Sequence, residues 1–157
     1  QYEKQDGEFR TPGDPSPQVL SCFGTHDTPT LQGYAQGRDI DWWQRLGWID
    51  DEAAAHERAQ RTDDVAALTG DTPQIAEAVH ERLAASPAAM VCVQLDDALG
   101  TVEAQNLPGT VEEHQNWQRR YSVPVSALET LPELKVIGAL MAGHDRNSTE
   151  MAEGADA

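Results

Sequence analysis

The sequence THDTPT at positions 25–30 follows directly on the apolar run VLSCFG at positions 19–24. An apolar run of that length predicts a buried β-strand. The polar residues His26 and Asp27 would therefore emerge at the C-terminal end of a strand, where α/β sheets and barrels carry their catalytic groups. We take Asp27 as the candidate catalytic residue.

Helix capping is a local alternative for the same residues. Asp and Thr are preferred at helix N-caps because their side-chain oxygens accept the free N–H groups of the first turn. On this alternative Asp27 and the neighbouring threonines start the next helix, and His26 is a structural histidine. Spacing alone leaves both interpretations open.

The residues beyond the first strand favour a parallel βαβ unit. Apolar residues recur every four positions from Ile75 to Leu83, which predicts an amphipathic helix, and Ala88 to Leu95 is a second apolar run of strand length. The carboxyl ends of two parallel strands meet at the same edge of a sheet. We therefore expect the loop that carries Asn106, which follows the second strand, to lie close to Asp27.

A second polar block follows that strand, with EAQNLPGT at positions 103–110 and HQNWQRR at positions 114–120. Together the two blocks resemble the amylomaltases, the bacterial 4-alpha-glucanotransferases. That family carries a Thr-His-Asp block, a Pro-Thr pair and a Gly-Tyr or Gly-Trp pair, and later Asn-Leu-Pro-Gly-Thr and Asn-Trp-Arg-Arg blocks. Here Gln118 separates the tryptophan from the arginine pair, and Gln115 stands where proline is usual. The resemblance runs from about Gln1 to Met141.

The fold that the resemblance implies is a (β/α)8 TIM barrel, of which this α/β chain would be the C-terminal portion, about strands six to eight. Residues 1–4 would end the sixth strand, residues 19–24 would form the seventh and residues 89–95 the eighth. The chain has 157 residues, whereas a whole barrel takes about 250. We expect residues 1–142 to belong to the catalytic barrel and the small, polar residues 143–157 to be a disordered tail.

The activity that the resemblance implies is the transfer of an α-1,4-glucan segment to the 4-hydroxyl of an acceptor sugar. The family mechanism is retaining, with one carboxylate as nucleophile and one carboxylic acid as proton donor. Both lie on earlier strands, so this chain would depend on the missing N-terminal part of the same enzyme. Asp27 would be a third carboxylate, which binds hydroxyls of the transferred sugar and stabilises the oxocarbenium-like transition state.

Substrate contacts are also implied by the resemblance. His26 would hydrogen-bond the same sugar as Asp27. Asn106, Pro108 and Gly109 would line the cleft, with the proline and glycine holding a loop close to the substrate. An ordinary tight turn is the alternative for that loop.

Aromatic residues near the first block are the candidates for stacking on a sugar ring. Tyr34 is the nearest in sequence, and we expect it to fill that role. The tryptophans at positions 42, 43 and 48 are more typical of helix packing.

Composition limits the classes of partner. The formal charge is −16 and the sequence pI is about 4.4, which argues against nucleic acid and anionic membranes because phosphate binding needs a basic patch. No apolar run approaches the roughly 20 residues that span a bilayer. Cys22 and Cys92 lie in apolar runs and are expected to be buried free thiols, which suits the cytoplasm. We expect no cofactor and no metal, because the candidate His and Asp residues lack typical ligand spacing.

Two further functions remain open at this stage. An α-amylase-type glucan hydrolase is one, because that clan also places a His-Asp pair after its seventh strand. A non-catalytic glucan-binding module is the other. The blocks around Asn106 and Asn116 favour the transferase.

Overall fold

The structure is a computed structural model that describes residues 4–5, 8–9, 19–70, 72 and 74–146. In chain order, the elements are β1 (Lys4–Gln5), β2 (Glu8–Phe9), β3 (Leu20–Cys22), α1 (Leu31–Gln36), α2 (Arg38–Arg45), α3 (Asp51–Thr69), α4 (Ile75–Ala84), β4 (Met90–Cys92), α5 (Leu95–Ala98), a 3-10 helix (Val125–Thr130) and α6 (Pro132–Gly143). Within the described residues no helix combines the length and the apolarity needed to cross a bilayer.

The two predicted strands pair in parallel, with Leu20 opposite Met90 and Cys22 opposite Cys92. Helices α1 to α4 form the crossover between them, so the predicted βαβ order is confirmed. Each strand is only three residues long, shorter than its apolar run. Both strands nevertheless end at the same edge of the sheet.

The N-terminal residues form a separate antiparallel pair, β1 with β2. Residues 1–3, which carry most of the expected end of a sixth strand, lie outside the described residues. The described pairing joins β1 to β2 and not to β3. The numbering of the strands within a barrel therefore stays a prediction.

One face of the β3–β4 sheet is open and apolar. Leu20 is 55% exposed and Met90 is 53% exposed, whereas Val91 on the opposite face packs against the core. Cys22 and Cys92 are free and exposed on the open face. The expectation that both thiols are buried is therefore wrong, because the helices of the described residues cover the sheet on one side only.

The core lies between the covered face of the sheet and the helices. Its buried cluster comes from α1, α3 and α4 and consists of Leu31, Tyr34, Leu68, Ile75, Val79 and Leu83. The α4 members keep the predicted four-residue spacing, which turns one stripe of that helix inward. Burying an aliphatic side chain of this size contributes roughly 1.5–3 kcal/mol, so this cluster fixes how the crossover helices sit on the sheet.

The sequence predicts a helix from Asp51 to about Arg61 with Asp50 as its N-cap, and α3 begins there. The Asp50 carboxylate accepts the Ala53 N–H at 2.8 Å and caps the helix. The predicted end near Arg61 is wrong, since the helix continues to Thr69 and ends at Gly70. The helix continues because Arg61 is buried against α2 and Leu68 packs in the core.

The chain after α6 packs back on the fold. The Arg146 guanidinium donates to the carbonyl oxygens of Ala84 at 2.6 Å and Ala88 at 2.8 Å. A cation at this point satisfies free carbonyls at the end of α4. The expected disordered tail began at residue 143, but these contacts make residues 143–146 part of the folded region. Residues 147–157 lie outside the described residues.

A buried ion pair joins α2 to α3. Arg61 donates through two nitrogens to the two carboxylate oxygens of Asp39, both at 2.8 Å, and also to the Tyr34 carbonyl at 2.7 Å. The two side chains are only 7% and 4% exposed. The guanidinium also lies 3.6 Å from the centre of the Tyr34 ring. This one side chain therefore connects α1, α2 and α3.

The buried pair predicts a large loss of stability when one partner is removed. Arg61→Ala leaves the Asp39 charge buried without its partner and should cost about 3–5 kcal/mol of unfolding free energy. The matched control is Arg58→Ala on the same helix, whose ion pair with Asp41 is 40% and 42% exposed and should contribute less than about 1 kcal/mol. Chemical denaturation of the complete protein measures both. Equal losses in the two variants would contradict the importance of the buried pair.

Candidate functional site

The turn after β3 is held by threonines. The Thr28 N–H donates to the Thr25 carbonyl at 3.1 Å, and the Thr25 N–H donates to the Thr28 hydroxyl at 2.8 Å. Thr30 is the N-cap of α1, where its hydroxyl accepts the Gly33 N–H at 3.0 Å. The capping alternative therefore accounts for Thr30 but leaves Asp27 with no capping role.

Asp27 faces the loop that follows β4. The Asn106 side-chain amide donates to Asp27 Oδ1 at 2.7 Å, and His26 Nε2 lies 3.3 Å from Asp27 Oδ2. The side chains of His26 and Asp27 are 58% and 50% exposed. The expectation that the two loops lie close together is confirmed, and their polar groups form one accessible cluster.

Buried contacts under this cluster join the same two loops. The Thr30 hydroxyl also donates to the Thr101 carbonyl, and Asp97 Oδ1 accepts the Leu31 N–H at 2.7 Å. Burial raises the pKa of the Asp97 carboxyl to about 6, although that hydrogen bond opposes the rise. A side chain at Gly33 would place its Cβ 2.2 Å from the Val102 carbonyl oxygen, so only glycine lets α1 approach this loop so closely.

The loop from Gln105 to Trp117 is held together by the Asn116 side chain. Its Oδ1 accepts the Leu107 N–H at 2.9 Å, and its Nδ2 donates to the Thr110 carbonyl at 3.1 Å. These two partners fix which end of the amide is oxygen. His114 Nδ1, 2.6 Å from the same Oδ1, must therefore donate a proton to it.

Glu103 anchors the start of the same loop to α2. It accepts hydrogen bonds from the Arg38 guanidinium and from Trp42 Nε1, the latter at 3.0 Å. Burial opposes its ionisation, but the hydrogen bonds from Arg38 and Trp42 hold the pKa of Glu103 below its ordinary value. The hydrogen bond to Glu103 in turn raises the pKa of Arg38. Glu103 is therefore an ionised structural anchor.

A cleft of about 240 Å³ opens between the two loops and α2. Its lining includes Asp27, Asn106 and Pro108. Gly109 lies just behind it, at φ 87°, where a Cβ would meet the Trp48 ring at 3.3 Å. Both the left-handed backbone and the close ring favour glycine at this position.

Tryptophans, and not the predicted tyrosine, line this cleft. Trp42, Trp43 and Trp48 all contribute to its wall, and Trp48 is 47% exposed. The sequence favours helix packing for these residues; Trp42 and Trp43 are half-buried on α2 and reach the cleft as well. Tyr34 is only 2% exposed, and its hydroxyl donates to Asp64 at 2.9 Å. Its ring is covered in the core, so the expectation that Tyr34 stacks on a sugar does not fit its position.

Trp117, which belongs to the block at positions 114–120, is a further aromatic residue at the site. The sequence did not mark it as a candidate for stacking on a sugar ring. It is 62% exposed, and its ring centre lies 5.1 Å from that of His26. Its φ is +60°, a left-handed conformation that is rare for a bulky residue. The sequence shows that residue 117 is aromatic, but only the fold of the loop shows that it lies beside His26.

The described residues contain no group of three or more His, Cys, Asp or Glu side chains arranged to hold a metal ion. The polar groups that line the cleft include the Asp27 carboxylate, the His114 imidazole and the Asn106 amide, beside three indole rings. Such a combination offers hydrogen bonds to hydroxyl groups and flat apolar faces to ring carbons.

Comparisons with known proteins find similar chains in one enzyme family. Residues 1–126 match the family model described as 4-alpha-glucanotransferase. A 4-alpha-glucanotransferase of Haemophilus influenzae is 27% identical over an alignment of 154 residues. The alignment covers 85% of this chain and 22% of that protein. One of Mycobacterium bovis is 29% identical over 150 residues, covering 83% of this chain and 20% of that protein.

A solved structure shows the same similarity. The crystal structure of amylomaltase from Corynebacterium glutamicum aligns with a TM-score of 0.69 and 26% identity, covering 85% of this chain and 23% of that chain. This chain therefore spans about a fifth of the length of the curated relatives that it matches.

The role of Asn116 as the organiser of the second loop predicts a local change in hydrogen exchange. Asn116→Ala removes the acceptor of the Leu107 N–H, so that amide should exchange roughly tenfold faster. Asn106→Ala, which leaves those contacts in place, is the matched control. Amide exchange of the complete protein, resolved at Leu107, measures the effect. Unchanged protection in Asn116→Ala would show that other contacts hold the loop.

Proposed function

Because this chain belongs to the 4-alpha-glucanotransferase family, we propose that its cleft is part of the site at which an enzyme of that family transfers α-1,4-glucan segments. The chain would supply the C-terminal portion of the catalytic TIM barrel, with β3 and β4 as the seventh and eighth strands. The observation that carries the proposal is the 2.7 Å hydrogen bond between Asn106 and Asp27. It joins the two motif-bearing loops at one exposed cluster.

Asp27 is the catalytic residue in this proposal. Its Oδ1 is occupied by Asn106, and its half-exposed carboxylate remains accessible to the hydroxyls of a sugar. As the sugar ring gains positive charge in the transition state, a fixed carboxylate attracts it more strongly than it attracts the neutral ground state. Asp27 therefore lowers the barrier by binding the transition state, without itself forming a covalent bond.

His26, Asn106, Pro108 and Gly109 have supporting roles in substrate binding. His26 lies beside Asp27 and offers a second polar group to the same sugar. Asn106 fixes the orientation of the Asp27 carboxylate, which matters because preorganised groups need no rearrangement during the reaction. Pro108 and Gly109 keep the loop narrow at the wall of the cleft.

The nucleophile and the acid would come from the missing N-terminal part of the enzyme. The other carboxylates that line the cleft are committed to structural contacts, Glu103 with Arg38 and Asp39 with Arg61. The open apolar face of the sheet, with Leu20 and Met90 more than half exposed, is a surface that further strands and side chains of a barrel would cover. The proposed partners are therefore the rest of the same enzyme, a glucan donor and a sugar acceptor. The proposed location is the cytoplasm.

Product analysis of the complete enzyme tests the reaction. Incubated with maltotriose, a transferase yields glucose together with maltodextrins longer than the substrate. An α-amylase-type hydrolase yields only shorter sugars, and that outcome would overturn the proposal. A glucan-binding module predicts instead that the isolated 157 residues melt cooperatively and bind maltoheptaose with millimolar or better affinity.

Asp27→Asn tests the catalytic residue. The variant keeps an oxygen that accepts from Asn106 but removes the negative charge, so kcat should fall by about 10²–10³, or roughly 3–4 kcal/mol. The melting temperature should stay close to that of the wild type because the side chain is half exposed. Asp63→Asn, at an exposed position of α3, is the matched control and should keep full activity. Near-normal turnover in Asp27→Asn would remove Asp27 from the catalytic set.

A further inference from the structure

Trp117 presents a large aromatic surface at the edge of the cluster formed by His26 and Asp27. The residue is 62% exposed. Its ring is tilted by 49° to the His26 ring, and the two ring centres lie 5.1 Å apart. An indole ring in water leaves much apolar area unburied, and exposed aromatic groups next to a polar site are typical of ligand-binding surfaces. The exposed indole face is therefore available to bind a ligand.

The position of the ring is fixed by the loop. The Trp117 N–H donates to the Gln105 carbonyl at 2.9 Å, and the preceding Asn116 binds both Leu107 and Thr110. These contacts hold Trp117 at φ +60°, a conformation that side chains other than glycine adopt only when surrounding contacts impose it. The same loop carries Asn106, whose amide donates to Asp27, so Trp117 is linked to the Asp27 carboxylate through this loop.

We propose that Trp117 is the stacking platform for a second glucose ring of the glucan, adjacent to the sugar that Asp27 holds. The inference rests on the proposed function and extends it to a neighbouring binding position. A pyranose ring has one face of C–H groups, which packs on the flat indole, and a rim of hydroxyls. His26 lies between the indole and Asp27, so its imidazole can hydrogen-bond hydroxyls of either ring.

Stacking at this position contributes to binding and not to bond cleavage. The platform would contact the ground state and the transition state of the glucan equally, because the charge develops on the sugar at Asp27. Its loss should therefore raise KM and leave kcat nearly unchanged. The alternative is that Trp117 packs against the missing part of the enzyme and does not bind glucan. In that case its replacement would lower the stability of the enzyme.

The experiment uses the complete enzyme with maltoheptaose as donor. Trp117→Ala should raise KM on the order of tenfold with kcat within about twofold, and Trp117→Phe should recover most of the loss because it keeps a flat aromatic face. Val125→Ala is the matched control, since Val125 is 83% exposed and lies outside the cleft. It should leave both constants unchanged.

The possible failures are distinguishable. If KM is unchanged in Trp117→Ala and the wild-type enzyme forms longer maltodextrins, the stacking role of Trp117 is wrong. The proposed function is then unaffected. A lowered melting temperature with an unchanged KM overturns the stacking role in favour of packing. If the wild-type enzyme itself forms no longer products, the proposed function fails, and the platform fails with it.

Discussion

The parallel pairing of β3 with β4 is the constraint on which the site depends. Leu20 to Cys22 and Met90 to Cys92 run side by side in the same direction, so the loops that follow them leave the sheet at one edge. Four helices separate the strands in sequence. Only this pairing brings Asp27 within hydrogen-bonding distance of Asn106, 79 positions later.

The loops are then fixed by polar contacts in addition to the burial of Leu107. Asn116 and Glu103 each satisfy several backbone or side-chain donors, and Thr30 links the start of α1 to the second loop. Such contacts are directional, whereas apolar packing tolerates small shifts. A loop without regular secondary structure therefore keeps a defined shape, as a binding site requires.

The sequence was informative where chemistry follows from a local pattern. The apolar runs predicted the two strands, and their order predicted that the loops of Asp27 and Asn106 converge. Tyr34 could not be assigned from proximity to Asp27, because a helix turns successive residues through 100° and directs this one into the core. Whether a residue faces the cleft or the core depends on neighbours far along the chain.

The same limit applies to the cysteines and the tryptophans. Apolar strands suggest burial on both faces, but Cys22 and Cys92 are exposed on a face that the helices of the described residues do not cover. Trp42 suits helix packing by composition, yet its indole N–H pairs with Glu103 at the cleft. Contacts between distant parts of the chain decided each position: the helices that cover one face of the sheet for the cysteines, and the hydrogen bond to Glu103 for Trp42. Such contacts leave no periodic signal in a single sequence.

The acidity of the chain is compatible with a glucan substrate for a simple electrostatic reason. A formal charge of −16 repels polyanions at long range, but a neutral sugar is neither attracted nor repelled. Affinity for such a ligand must come from short-range contacts, namely hydrogen bonds to hydroxyls and apolar contact with ring faces. The cleft combines both kinds of group, with Asp27 and Asn106 beside indole rings and His26 next to Asp27. In the proposed reaction the negative charge of Asp27 would attract the sugar most strongly when the ring becomes positive, so selectivity for the transition state would not require strong attraction of the neutral substrate.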